Sequence, residues 1–207
     1  MKKRIYIYGC NGGMGRRYRA ILKRLGHEWS GFDLDGHHGD FEFADSDGVI
    51  IATPTPTHGQ IILSLAGSGK PLLCEKPVTR DLDELRSLMM AVARNSTPMQ
   101  MVCQYDHLVN PAWYGPTIYD YYRTGPDGLP WDCMQIIWHA KQTPEIRNES
   151  PVWRCIINGQ ELKLGDMDRA YVAEIKGWLE APRNDIARIL AAHEKVAKLE
   201  AEWRARK

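Results

Sequence analysis

Gly9-Cys10-Asn11-Gly12-Gly13-Met14-Gly15 stands between two segments of different period, and that juxtaposition leaves few folds open. Before it, Arg4 to Tyr8 alternates in the manner of a strand. After it, Met14 to Leu25 carries apolar residues at helical spacing and stops at Gly26, a residue type suited to a C-cap. A strand, a tight glycine turn and a helix in that order bring the helix's unpaired first amides to the strand's carboxyl end. Glycine there lets a pyrophosphate approach the backbone, and the amides point at its charge. The spacing G-x-x-G-x-x-G is one residue longer than the usual dinucleotide fingerprint, with Asn11 as the added residue; Asn accepts left-handed backbone geometry, so the longer loop is physically allowed.

The alternation continues. Glu28 to Phe32 predicts a strand ending in Asp33-Leu34-Asp35, and Gly48 to Ala52 a strongly apolar one running into Thr53-Pro54-Thr55-Pro56-Thr57-His58. Gln60 to Ala66 is helical and is broken by Gly67-Ser68-Gly69. Pro71 to Cys74 is the next strand, Asp81 to Arg94 a helix with Leu82, Leu85, Leu88, Met89 and Val92 on one side, and Met99 to Tyr105 a further strand. Strands alternating with helices predict an α/β fold, a Rossmann-type doubly wound parallel sheet over residues 1–108. Only 13 residues separate Asp33 from Asp47, so one crossover shrinks to a loop or a short strand such as Phe41 to Phe43.

Residues 109–207 have another character and predict a reduced α+β portion. Pro111 to Arg123 and Pro130 to Ala140 read as aromatic-rich helices. Val152 to Leu164 reads as a hairpin turning at Asn158-Gly159, Asp166 to Glu180 as an amphipathic helix, and Asp185 to Arg206 as a long charged one with Trp203 on its apolar side. Tryptophans 113, 131, 138, 153 and 178 crowd this half. With seven tryptophans and only three phenylalanines in the chain, core packing is their expected use, with sugar stacking as the alternative.

Lysine plus arginine number 27 against 26 acids, so no charge imbalance argues for nucleic acid or an anionic membrane as partner. No apolar stretch approaches the roughly 20 residues that span a bilayer, and no apolar core follows Met1-Lys2-Lys3-Arg4. The five cysteines are scattered and form no C-x-x-C pair, so neither a disulfide framework nor a zinc site is indicated, and a reducing cytoplasm fits. His37 and His38 adjoin on the shortened crossover and read as a solvated pair rather than metal ligands. A small-molecule substrate is the expected partner.

Two acids and one lysine carry the candidate chemistry. Asp33 lies 18 residues past Gly15 at the end of the second strand, where a carboxylate accepts from adenosine ribose hydroxyls and repels a 2′-phosphate. NAD is therefore the expected cofactor, with Asp35 as the alternative ribose ligand and Arg16-Arg17 leaving NADP open. Glu75-Lys76-Pro77 follows the run Pro71-Leu72-Leu73 and so delivers a lysine and a carboxylate to a strand's carboxyl end, the ligand side of an open α/β sheet.

Asp47-Gly48-Val49-Ile50-Ile51-Ala52-Thr53-Pro54 with His58, then Ala66, Gly69-Lys70-Pro71 and Glu75-Lys76-Pro77, together resemble the signature of the Gfo/Idh/MocA oxidoreductases over residues 4 to 111. The resemblance implies an NAD(P)-binding Rossmann domain with a second domain walling the substrate pocket. It also implies hydride transfer between nicotinamide and an alcohol carbon of a sugar- or cyclitol-like substrate. Lys76 would then be catalytic, holding the reacting oxygen and relaying its proton. Gly9, Asn11, Gly12, Gly13, Met14, Gly15 and Asp33 would contact the cofactor, joined by Thr53, Pro54, Thr55, His58, Glu75, Lys76 and Pro77; Pro77 would be cis.

The chain departs from the family pattern in two further ways. The family's large C-terminal sheet, which often forms its dimer interface, is expected to shrink to little more than the hairpin around Asn158-Gly159, leaving the terminal helix as the route to a homo-oligomer. The family's Asp and His four residues apart on a helix are not found. The nearest substitutes are Asp132 and His139, seven apart and so on nearly one helix face, with Asp106 and His107 as further candidates. Two other readings stay open on the sequence: a dinucleotide-binding or interaction protein without catalysis, and a dihydrodipicolinate reductase-like enzyme, suggested by the longer glycine loop.

Overall fold

A computed structural model describes residues 1–107, 117–120, 131, 134, 145–147, 154–157, 159–161 and 165–205. The chain divides into two compact units, Met1–Val102 with Ile175–Leu190, and Cys103–Glu174 with Ala191–Lys207.

The first unit is a Rossmann-type sheet of six strands: β1 (Arg4–Tyr8), β2 (Glu28–Asp33), β3 (Gly36–His38), β4 (Gly48–Ile51), β5 (Leu72–Cys74) and β6 (Met99–Met101). Their order is β3-β2-β1-β4-β5-β6, parallel except for β3. β4, β5 and β6 are buried throughout, as a strand covered on both faces must be, which is why they read as continuous apolar runs. The helices are α1 (Gly13–Arg24), α2 (His58–Leu65) and α3 (Leu82–Arg94). α3 shows how local chemistry sets its limits. The Asp81 carboxylate caps it by accepting from the amides of Asp83 (2.8 Å) and Glu84 (2.9 Å), and Leu85, Leu88, Met89 and Val92 form its buried stripe.

The segment Ile175–Leu190 completes this unit. Trp178 packs under Gly48 at the head of β4, where a Cβ on the glycine would lie 2.9 Å from the indole. The Asp185 amide donates to the carbonyl of Met99 (2.9 Å) and that of Arg183 to the Gln100 side chain (2.9 Å), so the β6 end of the sheet is partly capped by chain from far along the sequence.

The second unit contains a four-stranded sheet, β10-β9-β7-β8, made of β7 (Thr117–Asp120), β8 (Glu145–Arg147), β9 (Arg154–Ile157) and β10 (Gln160–Glu161). β7 pairs parallel with β8 and antiparallel with β9. Gly159, at φ +76°, turns the β9–β10 hairpin, across which Arg154 and Glu161 pair at 3.1 Å. Helices α4 (Gly165–Glu180) and α5 (Ile186–Arg204) contribute to both units. The buried Trp131 indole donates to Glu200 of α5 at 2.8 Å, and Trp178 is buried as well, so both described members of the tryptophan set serve as core.

Four expectations are corrected. The short strand of the reduced crossover is Gly36–His38, antiparallel to β2, and Phe43–Asp45 is a 3-10 turn. Gly36 at φ +109° reverses the chain directly after Asp35, while the Phe43 ring packs edge-on against Tyr6. Within the segment expected as a helix, Pro111 to Arg123, residues Thr117–Asp120 form the central strand of the second sheet; pairing on both edges favours the pleated state for this β-branched and aromatic stretch. That sheet therefore holds more than a hairpin. The strand expected from Met99 to Tyr105 also ends early, at Met101, and Gln104–His107 is a 3-10 turn. Asn158 and most of Pro130 to Ala140 lie outside the described residues.

Candidate functional site

Three loops gather at the carboxyl ends of β1, β4 and β5, on either side of the point where strand order reverses between β1 and β4. That crevice is where open α/β sheets take ligands.

The glycine loop is shaped by close backbone approach. Gly9 sits at φ +79°, its amide donating to Phe32 O (2.8 Å), and a Cβ there would come within 2.7 Å of Ala52 O. A Cβ on Gly15 would lie 2.0 Å from Gly9 O, so the first turn of α1 can rest on the loop only without a side chain at that position. α1 begins after Gly12 with no side-chain cap and no acid in its first turn. Gly12 and Gly13 are exposed, and a Cβ on Gly13 would meet nothing within 4 Å. Uncapped amides, a positive dipole end and open space beside them suit a bound anion.

Asn11 ties this loop to the acids that follow β2. Its amide donates to Asp33 Oδ2 (2.7 Å), while the Leu34 amide donates to Asp33 Oδ1 (2.8 Å), which fixes the Asp33 carboxylate at the strand end. Arg19 Nη1 donates to Asn11 Oδ1 (2.8 Å), an arrangement that turns Asn11 Nδ2 toward the Asp35 carboxylate at 3.2 Å. The Arg16 guanidinium donates to Asn11 O. His38 Nε2 lies 2.8 Å from Asp35 Oδ1, and this hydrogen bond holds the Asp35 carboxyl below its usual range. Cys10, beneath the loop, has its thiol pushed up first by burial and then by Asp33.

The segment after β4 is braced from inside. Thr57 Oγ1 donates to Pro54 O (2.7 Å) and bonds Thr53 Oγ1 at 2.8 Å. His58 is buried, with Nε2 2.7 Å from Thr53 O and Nδ1 3.0 Å from Pro77 O, so its ring joins the loop after β4 to the loop after β5.

Between Leu72 and Thr79 every residue is buried except Lys76, which is half-buried. Its surroundings are held on several sides. The Glu75 amide extends the ladder to Ile51 O (2.9 Å), the Tyr18 phenol donates to Glu75 Oε1, and the Lys76 amide donates to Glu75 Oε2 at 3.1 Å. The Lys76–Pro77 bond is cis, and the buried Thr79 hydroxyl donates to Glu84 of α3. Burial pushes the neighbouring Cys74 thiol well up, with Glu75 adding to the effect.

The structure thus gathers Gly9, Asn11, Gly12, Gly13, Met14, Gly15, Asp33, Thr53, Pro54, Thr55, Glu75, Lys76 and Pro77 at one end of the first sheet, with His58 behind them. Asp132 and His139 lie outside the described residues. His107 is described and pairs with the buried Glu174 at 2.8 Å within the second unit. Sequence reasoning missed Tyr18, Arg19 and His38. A tyrosine at a buried helical position reads as core, and nothing in the spacing points to a carboxylate 57 residues later in the chain. Among the described residues no three His, Cys, Asp or Glu side chains are grouped to hold a metal.

Residues 33–102 match the family described as an oxidoreductase family with an NAD-binding Rossmann fold. The chain is similar to an inositol 2-dehydrogenase of Rhodococcus erythropolis, 47% identical over 49 residues that make up 24% of this chain and 14% of that protein. It is also similar to a scyllo-inositol 2-dehydrogenase (NAD(+)) of Bacillus subtilis, 40% identical over 89 residues, 42% of this chain and 24% of that protein. The chain thus matches less than a quarter of these relatives' length. Among solved structures, the WlbA dehydrogenase of Thermus thermophilus, determined with NAD and UDP-GlcNAcA, superposes with a TM-score of 0.71 at 14% identity, covering 96% of this chain and 94% of that one. A myo-inositol dehydrogenase of Corynebacterium glutamicum gives 0.70 at 15% identity, covering 95% of each. At such identities these structures establish the shared fold.

Proposed function

We propose that this chain, whose Rossmann portion belongs to the Gfo/Idh/MocA oxidoreductase family, is an NAD-dependent dehydrogenase or reductase acting on a hydroxyl-bearing carbon of a small sugar- or cyclitol-like substrate. The observation that carries the reading is the placement of Lys76 as the one side chain left unburied in its loop, on the same sheet edge as an uncapped helix N-terminus and the Asp33 carboxylate. The similarity to inositol dehydrogenases supports the substrate class.

The residues present fit a dinucleotide. The amides at the start of α1 would receive its pyrophosphate, Gly9 and Gly15 keep side chains out of the loop, and Asp33 has lone pairs left for ribose hydroxyls. When bound, NAD supplies the two-electron acceptor for oxidation of an alcohol carbon. Lys76 would accept the hydroxyl proton as the hydride leaves the alcohol carbon for the cofactor, hold the oxygen by the N–H so formed, and then release that proton to solvent. Glu75 and His58 do not need to touch the substrate for this. One holds the Lys76 amide and the other the Pro77 carbonyl, so the lysine is presented on a fixed loop.

NADH formation measured by absorbance with a panel of cyclitols, aldoses and nucleotide sugars tests the assignment. Turnover of at least one member is expected from the unaltered chain. Binding of NAD+ without turnover of any polyol would reduce the protein to a dinucleotide-binding scaffold. The Asp33 carboxylate carries its own prediction. NADP+ should bind about tenfold or more weakly than NAD+, the ~1.4 kcal/mol scale of a like-charge contact in a partly exposed site, and Asp33→Ser should narrow that gap. Equal affinities for the two cofactors in both proteins would remove Asp33 from the discriminating role.

A further inference from the structure

The helix that opens at the glycine loop also grips the loop that carries Lys76. Gly15 is pressed against the backbone of Gly9, and Tyr18, one turn further along α1, is fully buried with its phenol donating to Glu75 Oε1. Glu75 is itself buried, and its other oxygen accepts from the Lys76 amide at 3.1 Å. A carboxyl group taken this far out of water must keep its donors, because a buried oxygen left without a hydrogen-bond partner is costly. The chain of contacts from the glycine loop through α1, Tyr18 and Glu75 to the Lys76 backbone is therefore continuous.

We propose that Tyr18 is a positioning residue that couples dinucleotide occupancy at the start of α1 to the placement of Lys76. The proposal rests on the reading of this site as an NAD site. Both anchoring points lie on one rigid element, since α1 is a helix of 12 residues with Tyr18, Ile21 and Leu22 packed into the core. A ligand that engages the helix's first amides fixes the turn from which Tyr18 projects. Tyr18 in turn fixes the carboxylate that holds the lysine's peptide. Removal of the phenol oxygen leaves the ring in place and takes away the donor to Glu75 Oε1.

The test reads Lys76 directly and does not require a substrate. The rate at which a water-soluble acylating reagent labels the Lys76 amine is followed by mass spectrometry of the intact protein's peptides, with and without saturating NAD+. NAD+ affinity is measured on the same samples by calorimetry. In the unaltered chain bound NAD+ should slow labelling of Lys76 by about tenfold or more, the effect of one charge-assisted hydrogen bond's worth of ordering. In Tyr18→Phe, NAD+ should still bind within about threefold of the original affinity while most of that protection disappears. Glu75→Gln, which keeps the side chain's size and replaces one acceptor oxygen by an amide, should also lose most of that protection at saturating NAD+, whatever its own affinity, and serves if the tyrosine variant does not fold. Protection that survives intact in either folded variant overturns the coupling and leaves the NAD site standing. Failure of the unaltered chain to bind NAD+ overturns the site and the coupling together. A purely structural tyrosine would lower affinity and thermal stability while leaving protection at saturation unchanged.

Discussion

Gly15→Ala is expected to destabilise the Rossmann unit by about 3 kcal/mol, the upper range for overpacking, and to abolish measurable NAD+ binding. The added Cβ would stand 2.0 Å from Gly9 O and 2.7 Å from the Cys10 carbonyl carbon, both backbone atoms that cannot rotate away. Relief requires lifting the first turn of α1 off the loop, and the same movement withdraws the amides that face the ligand. Gly13→Ala is the internal control. Its Cβ meets nothing within 4 Å, and alanine favours the helix, so stability should change by no more than about 0.5 kcal/mol. Urea denaturation of the two variants side by side, paired with NAD+ titration, separates the cases. Equal stability and equal binding in both would mean that the close approach at Gly15 does not shape the site.

Lys76→Ala is expected to leave NAD+ affinity within about threefold and to lower turnover of any polyol substrate on the order of a thousandfold, the range of a positioned general acid–base group. The lysine is half-buried among buried neighbours, its amide held by Glu75 on one side and the Pro77 carbonyl by His58 on the other. Truncation of its side chain removes the group proposed to meet the substrate oxygen while the loop that carries it stays in place. A fall confined to kcat, with KM little changed, marks an interaction made in the transition state. Turnover that survives the substitution would transfer the proton relay to another residue.

Period and punctuation alone made the sheet of the first unit legible. β4 and β5 are buried on both faces and therefore wrote themselves as Gly48-Val49-Ile50-Ile51 and Leu72-Leu73-Cys74; the Asp81 cap and Leu85, Leu88, Met89 and Val92 marked α3. Spacing also brought out the positions that gather at the site, because Gly15, Asp33 and Lys76 each sit at a boundary between elements where backbone chemistry is restrictive. What stayed hidden depends on partners distant in sequence. Asn11 looked like an added loop residue, yet its amide and side chain together tie Asp33, Asp35 and Arg19 to the loop. His58 also ties Thr53 O to Pro77 O, a link between two loops that no local window shows. The strand Thr117–Asp120 was masked by aromatic residues at helical spacing, because pairing with β8 and β9 supplies a preference that no local window contains. The short β3 escaped for a related reason, since its reversal depends on Gly36 at φ +109° directly behind Asp35.

Titration calorimetry of the unaltered chain with NAD+ bears most directly on the central claim, that the uncapped start of α1 and the Asp33 carboxylate form a dinucleotide site. Saturable binding of one NAD+ per chain is expected, with a dissociation constant below about one millimolar and loss of the signal in Gly15→Ala. Absence of binding by both NAD+ and NADP+ at that concentration, from a chain that is folded, would contradict it.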